Sequence, residues 1–424
     1  MEKAAGKTEP PGRLQGVALT VLMCAALAFG LLGFSTLPAL LPVLMSEWAI
    51  SGTEAGWVAS LIFAGYMLAV PILLPMTDRV DARAVFLAGA VVSSLSLVGF
   101  GMFAGGFWSG LFFRVTLGIG FAGVYMPGLK VLTDRLDTKN PSRGIAFYTS
   151  SYLIGAALSY YLAGRIDATL GWRWAFALMA LGPLVSLLLV WWGTAPVIPK
   201  AASKPPGAPF RLLPDFRPVL KNRQALGYMG AYAMHSWELF ASQSWVIAFL
   251  TFSASLRPES TAGWNLTAIG SLITLTALPA SILGNELALR IGRRRTVTII
   301  MWVSAALGCS IGFLADRPFP IVVALCVAYG LTTTAESATV TAGAVMSATP
   351  ETRGALMALH SFIGFGGGFM GPVIFGLALD LAGGRETGAG WQAAFITAGA
   401  AAALGPLFLW WLGGKNAGEV PPVQ

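Results

Sequence analysis

Charge is what this sequence has least of. Only 11% of its 424 residues are Asp, Glu, Lys or Arg, while 56% are hydrophobic and the mean hydropathy is +0.71. A soluble domain carries about twice that charged fraction, so a chain of this length has too little polar surface to enclose a core in water. Cysteine is equally scarce. Cys24, Cys309 and Cys326 all fall in apolar runs, so they imply neither a disulfide framework nor a metal cluster and suit small core positions. No Gly-rich loop is followed by Lys-Ser/Thr, and the glycine run 364–368 lies inside an apolar stretch. No Ser-His-Asp order and no Cys/His ligand spacing occurs. An ATP-driven pump or a soluble-type enzyme therefore finds no support, and no cofactor or metal is implied. A cleaved secretory leader is not expected either: residues 1–16 are polar, and the first apolar run is too long for one.

What is present is long apolar runs. Stretches of about 20 residues between polar breaks predict twelve membrane spans near 17–45, 55–76, 84–104, 107–131, 144–164, 173–194, 225–253, 265–289, 296–315, 319–347, 354–381 and 391–413. Between the sixth and seventh, residues 195–224 are rich in Pro, Lys and Arg, which predicts an extended linker rather than a further helix. The chain thus divides into a tail (1–16), a six-span half (17–194), the linker (195–224), a second six-span half (225–413) and a tail (414–424). With the N-terminus placed in the cytoplasm, 21 of the 27 Lys and Arg residues fall on that side. Only Arg165, Arg173, Arg257, Arg317 and Arg385 fall on the other, and Arg114 lies within a span. This imbalance orients both termini inward and accounts for the net charge of +8 without any nucleic-acid partner.

The halves repeat in order. Ala55-Gly56-Trp57 recurs as Ala262-Gly263-Trp264, Arg143-Gly144 as Arg353-Gly354, Gly171-Trp172 as Gly390-Trp391, and Leu181-Gly182-Pro183-Leu184 as Leu404-Gly405-Pro406-Leu407. Repeat units of six spans keep the same topology, so the two bundles are expected to be related by an axis along the membrane normal.

The fourth span carries Arg114-x3-Gly118-x-Gly120-x-Ala122-x4-Pro127. Its small residues admit a neighbouring helix at close range. This pattern resembles the fourth-helix motif of the major facilitator superfamily of secondary transporters. The loop after the second span, with Asp78, Arg79 and Arg83, resembles that family's loop motif, although Leu74 and Asp81 stand where glycines are usual and Ala82 where a basic residue is usual. The resemblance implies an all-α membrane fold of twelve transmembrane helices in two pseudo-symmetric six-helix bundles that alternate access by rocking. It also implies that Asp78, with Arg79 and Arg83, forms a conformational gate near helix N-termini such as that at Arg353. The plain alternative is a positive-inside loop with Asp81 capping the third helix. In overall texture the chain is most similar to cyanate/nitrate-type and small-organic-anion permeases.

An ionisable side chain inside a span is expensive and marks a candidate site. Arg114 fits an anion-binding or coupling cation, or else a structural tie to backbone carbonyls. His235 and Glu238 share one face of the seventh span, and Glu336 lies mid-span in the tenth with Thr332 and Thr339 on its face. A carboxylate there suits proton coupling with an imidazole as relay, or else an interhelical hydrogen bond. Tyr148 and Tyr152 on the fifth span and Tyr232 on the seventh offer hydroxyls to cargo, and His360 on the eleventh is a weaker candidate. Gly367-x3-Gly371-Pro372 resembles the family's antiporter motif but sits on the eleventh span instead of the fifth, which weakens a drug-exporter reading. By the family's geometry the first, fourth, seventh and tenth helices line the cavity, and Arg114, Glu238 and Glu336 fall on three of them.

The sequence is therefore expected to encode a monomeric, proton-coupled secondary transporter in a bacterial inner membrane, favouring a small organic or inorganic anion. Two alternatives stand beside it: a proton-driven exporter of amphipathic drugs or cations, and a non-transporting sensor or assembly partner with the same fold.

Overall fold

Inside a bilayer no water satisfies a backbone amide, so each apolar run must close its own hydrogen bonds as a helix. The computed structural model, which describes residues 14–136, 142–197, 215–261, 263–349 and 352–413, is built on this rule. Among the described residues, ten helices are long and apolar enough to cross a membrane. The first span and the fifth, Ser142–Leu170, bring the number to twelve.

The first span is expected as one run and is instead two helices, Gly16–Gly30 and Thr36–Glu47, joined by a turn over 31–35. The next are Gly52–Met76, Ala82–Phe103 and Phe107–Thr133, followed by the fifth and by a sixth span made of Trp172–Met179 and Leu181–Gly193. In the second half the spans are Arg223–Leu256, Leu266–Ile291, Arg293–Ile311, the pair Phe319–Ala335 and Ser337–Met346, Arg353–Leu381 and Gly388–Gly413. Ends differ from expectation by a few residues because caps, not hydropathy, set them. Ser51 and Glu54 form a capping box that starts the second span at Gly52. The Asn222 side chain accepts from the Ala225 amide and starts the seventh at Arg223. Much of the expected linker, and the 414–424 tail, lie outside the described residues. Where the linker is described near its end, Arg217–Lys221 is a short helix and not extended.

Glycines let the spans of the first bundle touch backbone to backbone, as the fourth-span motif leads one to expect. A Cβ at Gly118 would collide with the Ile62 carbonyl, and one at Gly65 with the Val115 carbonyl. On the other side of the fourth span, Gly120 and Gly123 lie against Gly89 of the third. Association in lipid depends on such packing because burial from lipid supplies no hydrophobic drive.

The bundles meet in pairs related by the repeat. The second span packs against the eleventh, where Gly56 abuts Pro372, and the fifth packs against the eighth, where Gly164 abuts Thr267. The cross-bundle hydrogen bonds and ring contacts described in the structure lie at mid-span or toward the face opposite the basic loops. They include Trp57 against Phe369 with ring centroids 5.5 Å apart, Phe63 against Phe240 at 4.3 Å, and the Tyr160 hydroxyl donating to the Gln243 carbonyl.

Candidate functional site

The tenth span bends at Glu336. Just before it, Thr332, Thr333 and Thr334 turn their hydroxyls back onto the carbonyls of Tyr329 and Gly330, at 2.9 to 3.1 Å. Such back-bonding competes with the helix ladder and bends helices. The bend puts the fully buried Glu336 carboxyl against the seventh span, where His235 Nδ1 lies 3.0 Å from its Oε1. Glu238, one turn along the seventh span, takes a different partner. Ser304 of the ninth span donates to Glu238 Oε1 at 2.7 Å, and the Thr332 hydroxyl lies 3.1 Å from that of Ser304. The second oxygen of Glu336 is buried with no hydrogen-bond partner, and the buried Tyr329 hydroxyl lies beside the Glu238 carboxyl. His235, Glu238 and Glu336 thus belong to one polar core inside the C-terminal bundle.

Tyr232 extends that core toward the eleventh span. Its ring stacks on His360 at 3.9 Å and lies 5.7 Å from the His235 ring. Both His360 nitrogens are buried without a partner.

Arg114 stands apart in the N-terminal bundle. Its Nε donates to the Val58 carbonyl at 3.1 Å and one terminal nitrogen to the Ala59 carbonyl at 3.0 Å, tying the fourth span to the second. The other terminal nitrogen is buried and unpartnered. The geometry contains the structural tie and leaves one donor over. Tyr152 is half-buried against Phe34, ring centroids 5.3 Å apart. Tyr148 instead donates to the Tyr125 carbonyl at 2.9 Å and so locks the fifth span to the fourth.

At the basic face, Asp78 is exposed after the second span, and no described contact joins it to the helix starting at Arg353. Arg83 donates to the Trp191 carbonyl at 2.7 Å, which fastens the loop to the end of the sixth span. The engaged carboxylate in this loop is Asp81. It caps the third helix by accepting from the Arg83 amide at 2.9 Å, accepts from the Val197 amide at 2.8 Å, and receives one Arg135 nitrogen on both oxygens at 2.9 and 3.0 Å. Partial burial works against its charge, but these donors and the Arg135 guanidinium outweigh burial and hold its carboxyl below the usual aspartate value.

Sequence reasoning misses a carboxylate on the opposite face. Asp380, near the end of the eleventh span, accepts from the Gly52 amide at 2.8 Å and from the Thr53 amide and hydroxyl, both at 2.7 Å. It caps the first turn of the second span from the other bundle. Nothing in local sequence marks it, since its partners lie 327 and 328 residues away. Also missed is a convergence of rings between the bundles. Phe34, Phe121, Tyr125 and Tyr152 form a closed circuit with successive centroid distances of 5.5, 5.6, 6.2 and 5.3 Å. Tyr66 joins it through Phe121 at 5.2 Å and carries it to Phe365 of the other bundle at 4.2 Å. Aromatics are frequent throughout the spans, so only their placement distinguishes these.

Two bundles of six, joined by 2–11 and 5–8 helix pairs around buried polar groups, define a membrane carrier. The Major Facilitator Superfamily model matches residues 22–257 and 240–423, and the chain belongs to that family. It is 26% identical over 146 residues to a probable sphingolipid transporter spinster homolog 1 of Arabidopsis thaliana, covering 34% of this chain and 30% of that protein. It is 26% identical over 300 residues to a gallate transporter of Pseudomonas putida, covering 68% of this chain and 63% of that protein. The matched stretch is thus less than two thirds of either relative's length. In fold it is similar to the nucleoside transporter NupG, with a TM-score of 0.73 at 15% identity over 92% of this chain and 98% of that one. The chain is thus a multi-pass membrane protein of that family.

Proposed function

We propose that this transporter carries a small organic acid by alternating access, coupled to protons, as a monomer in a bacterial inner membrane with its basic face toward the cytoplasm. One observation carries the reading. The described cross-bundle contacts run from Asp380 on the second span down to rings at mid-span, Phe63 against Phe240 and Tyr66 against Phe365, and so lie at the middle or on its outer side. This is the pattern of one end state of a rocking carrier, shut on the outer face. Exposed Asp78 fits the same state, because a gate on the basic face is released when that face is open. The excess of basic residues supports the orientation.

Proton coupling is supported by the His235–Glu336 pair. A carboxyl at a helix bend with an imidazole at hydrogen-bond distance can hold or release a proton, and either change alters what the tenth span binds to. Glu238, fixed by Ser304, is the second candidate. An organic acid as cargo is supported by the gallate transporter among the relatives and by the spare Arg114 donor.

The test is cargo-driven proton movement in liposomes holding the purified protein, with Glu238→Gln and Glu336→Gln alongside and both organic acids and lipophilic cations offered. One acid should move with protons, and one variant should keep cargo exchange while losing coupling. Cargo that moves identically when both glutamates are neutralised would overturn coupling. Transport of the cations alone would overturn the choice of an acid.

A further inference from the structure

The polar core of the C-terminal bundle and the tie made by Arg114 both lie within a bundle, whereas the aromatic cluster spans the gap between them. Its helical members sit close to the middle of their spans, as Phe121 does within Phe107–Thr133 and Phe365 within Arg353–Leu381, and Phe34 lies in the turn midway along the first span. That is the depth at which a rocking carrier holds cargo. Tyr125, Tyr152 and Phe365 are only partly buried, so their rings are not sealed into the packing of either bundle.

Simple packing does not account for the hydroxyls. Two neighbouring tyrosines are satisfied by backbone, Tyr148 by the Tyr125 carbonyl and Tyr160 by the Gln243 carbonyl. The Tyr66 hydroxyl is fully buried and has no partner. A buried polar group without a partner calls for an explanation, and phenylalanine would fill the same space without that cost. The cluster therefore has the composition of a site for a flat ligand: ring faces for stacking and a hydroxyl aimed where no protein group answers it.

We propose that these rings are the cargo platform, and that the cargo is a planar aromatic acid stacked on Tyr125, Tyr152 and Phe365, with the Tyr66 hydroxyl meeting its polar substituent. This rests on the transport reading above and names its substrate class. Aromatic pairs gain from offset or edge-to-face geometry beyond the area they bury, which a saturated ring of the same size and charge does not.

The experiment measures binding to the purified protein in lipid nanodiscs by calorimetry. Benzoate, gallate and nicotinate are compared with cyclohexanecarboxylate, which matches benzoate in charge and carbon count. At least one aromatic acid should bind about tenfold or more tightly than the saturated ring. Phe365→Leu and Tyr152→Leu should remove most of that preference while leaving the weak binding of cyclohexanecarboxylate in place, and thermal unfolding of each variant checks that it is folded. Equal binding of aromatic and saturated acids, or variants that weaken both alike, would overturn the inference. So would liposomes that carry gluconate while no aromatic acid binds, an outcome that leaves the transport reading standing. If no acid of any kind is moved or bound, the transport reading fails first and takes the platform with it.

Discussion

Asp81 shows how much one carboxylate can hold together at the basic face. It joins the start of the third helix, Arg135 at the end of the fourth, and the Val197 amide beyond the sixth. Hydrogen bonds to a charged group contribute about 1.5–3 kcal/mol each when well shielded. Here solvent screening lowers that, so Asp81→Asn is expected to cost about 1–2 kcal/mol in all. The sign of the pH dependence follows from its lowered value. A carboxyl depressed in the folded state binds fewer protons there than when unfolded, so its contribution is complete above about pH 4 and is lost as pH falls through the folded value. Thermal unfolding in detergent should show wild type and Asp81→Asn differing by a constant amount from about pH 5 to pH 7. The two should converge at lower pH. A gap that widens on acidification would mean that Asp81 is not the charged partner of Arg135.

At the scale of the helix, close approach of the fourth span to the second and third depends on missing side chains. Gly118→Val would drive two methyl groups into the Ile62 carbonyl, where neither backbone can yield without separating the helices. Overpacking of this kind costs about 1–3 kcal/mol, and the upper end applies because backbone is hit. A clear loss of thermal stability, with aggregation on size-exclusion chromatography, is the expected outcome, while Gly105→Ala, which meets nothing within 4 Å, should be neutral. This packing was legible in the sequence because small residues at short spacing have one strong use in lipid. The spans were legible for a related reason, since hydropathy and helix length are tied by bilayer thickness. The partners of polar groups were not. His235 and Glu238 share a helix face in the sequence, yet one turns to Glu336 and the other to Ser304, because a bend in the tenth span decides which oxygen arrives where. Tyr148 and Tyr152 likewise looked alike as hydroxyl donors, and only the packing of the fourth span assigns the first of them to backbone.

For the whole molecule, the contact that would hold the proposed outer closure is Asp380 on the second span. Three donors, two amides and the Thr53 hydroxyl, converge on one carboxylate at a helix N-terminus, where the helix dipole also favours negative charge. Opening the outer face must break all three at once. Together they bias the closed outer face by about 1.5–3 kcal/mol, enough to change the ratio of the two states by roughly 10- to 150-fold. Asp380→Asn keeps the shape but removes the charge, and Thr53→Val removes the hydroxyl alone, so the first should shift the equilibrium more than the second. Spin labels placed on exposed Trp108 and Trp264 positions, one on each bundle at the outer face, report the separation directly. Wild type should give mainly the shorter distance, Thr53→Val a minor longer one, and Asp380→Asn a substantial longer population. An unchanged distance distribution in Asp380→Asn would mean that ring packing and glycine contacts alone keep the outer face shut, with Asp380 serving only as a cap for the second helix.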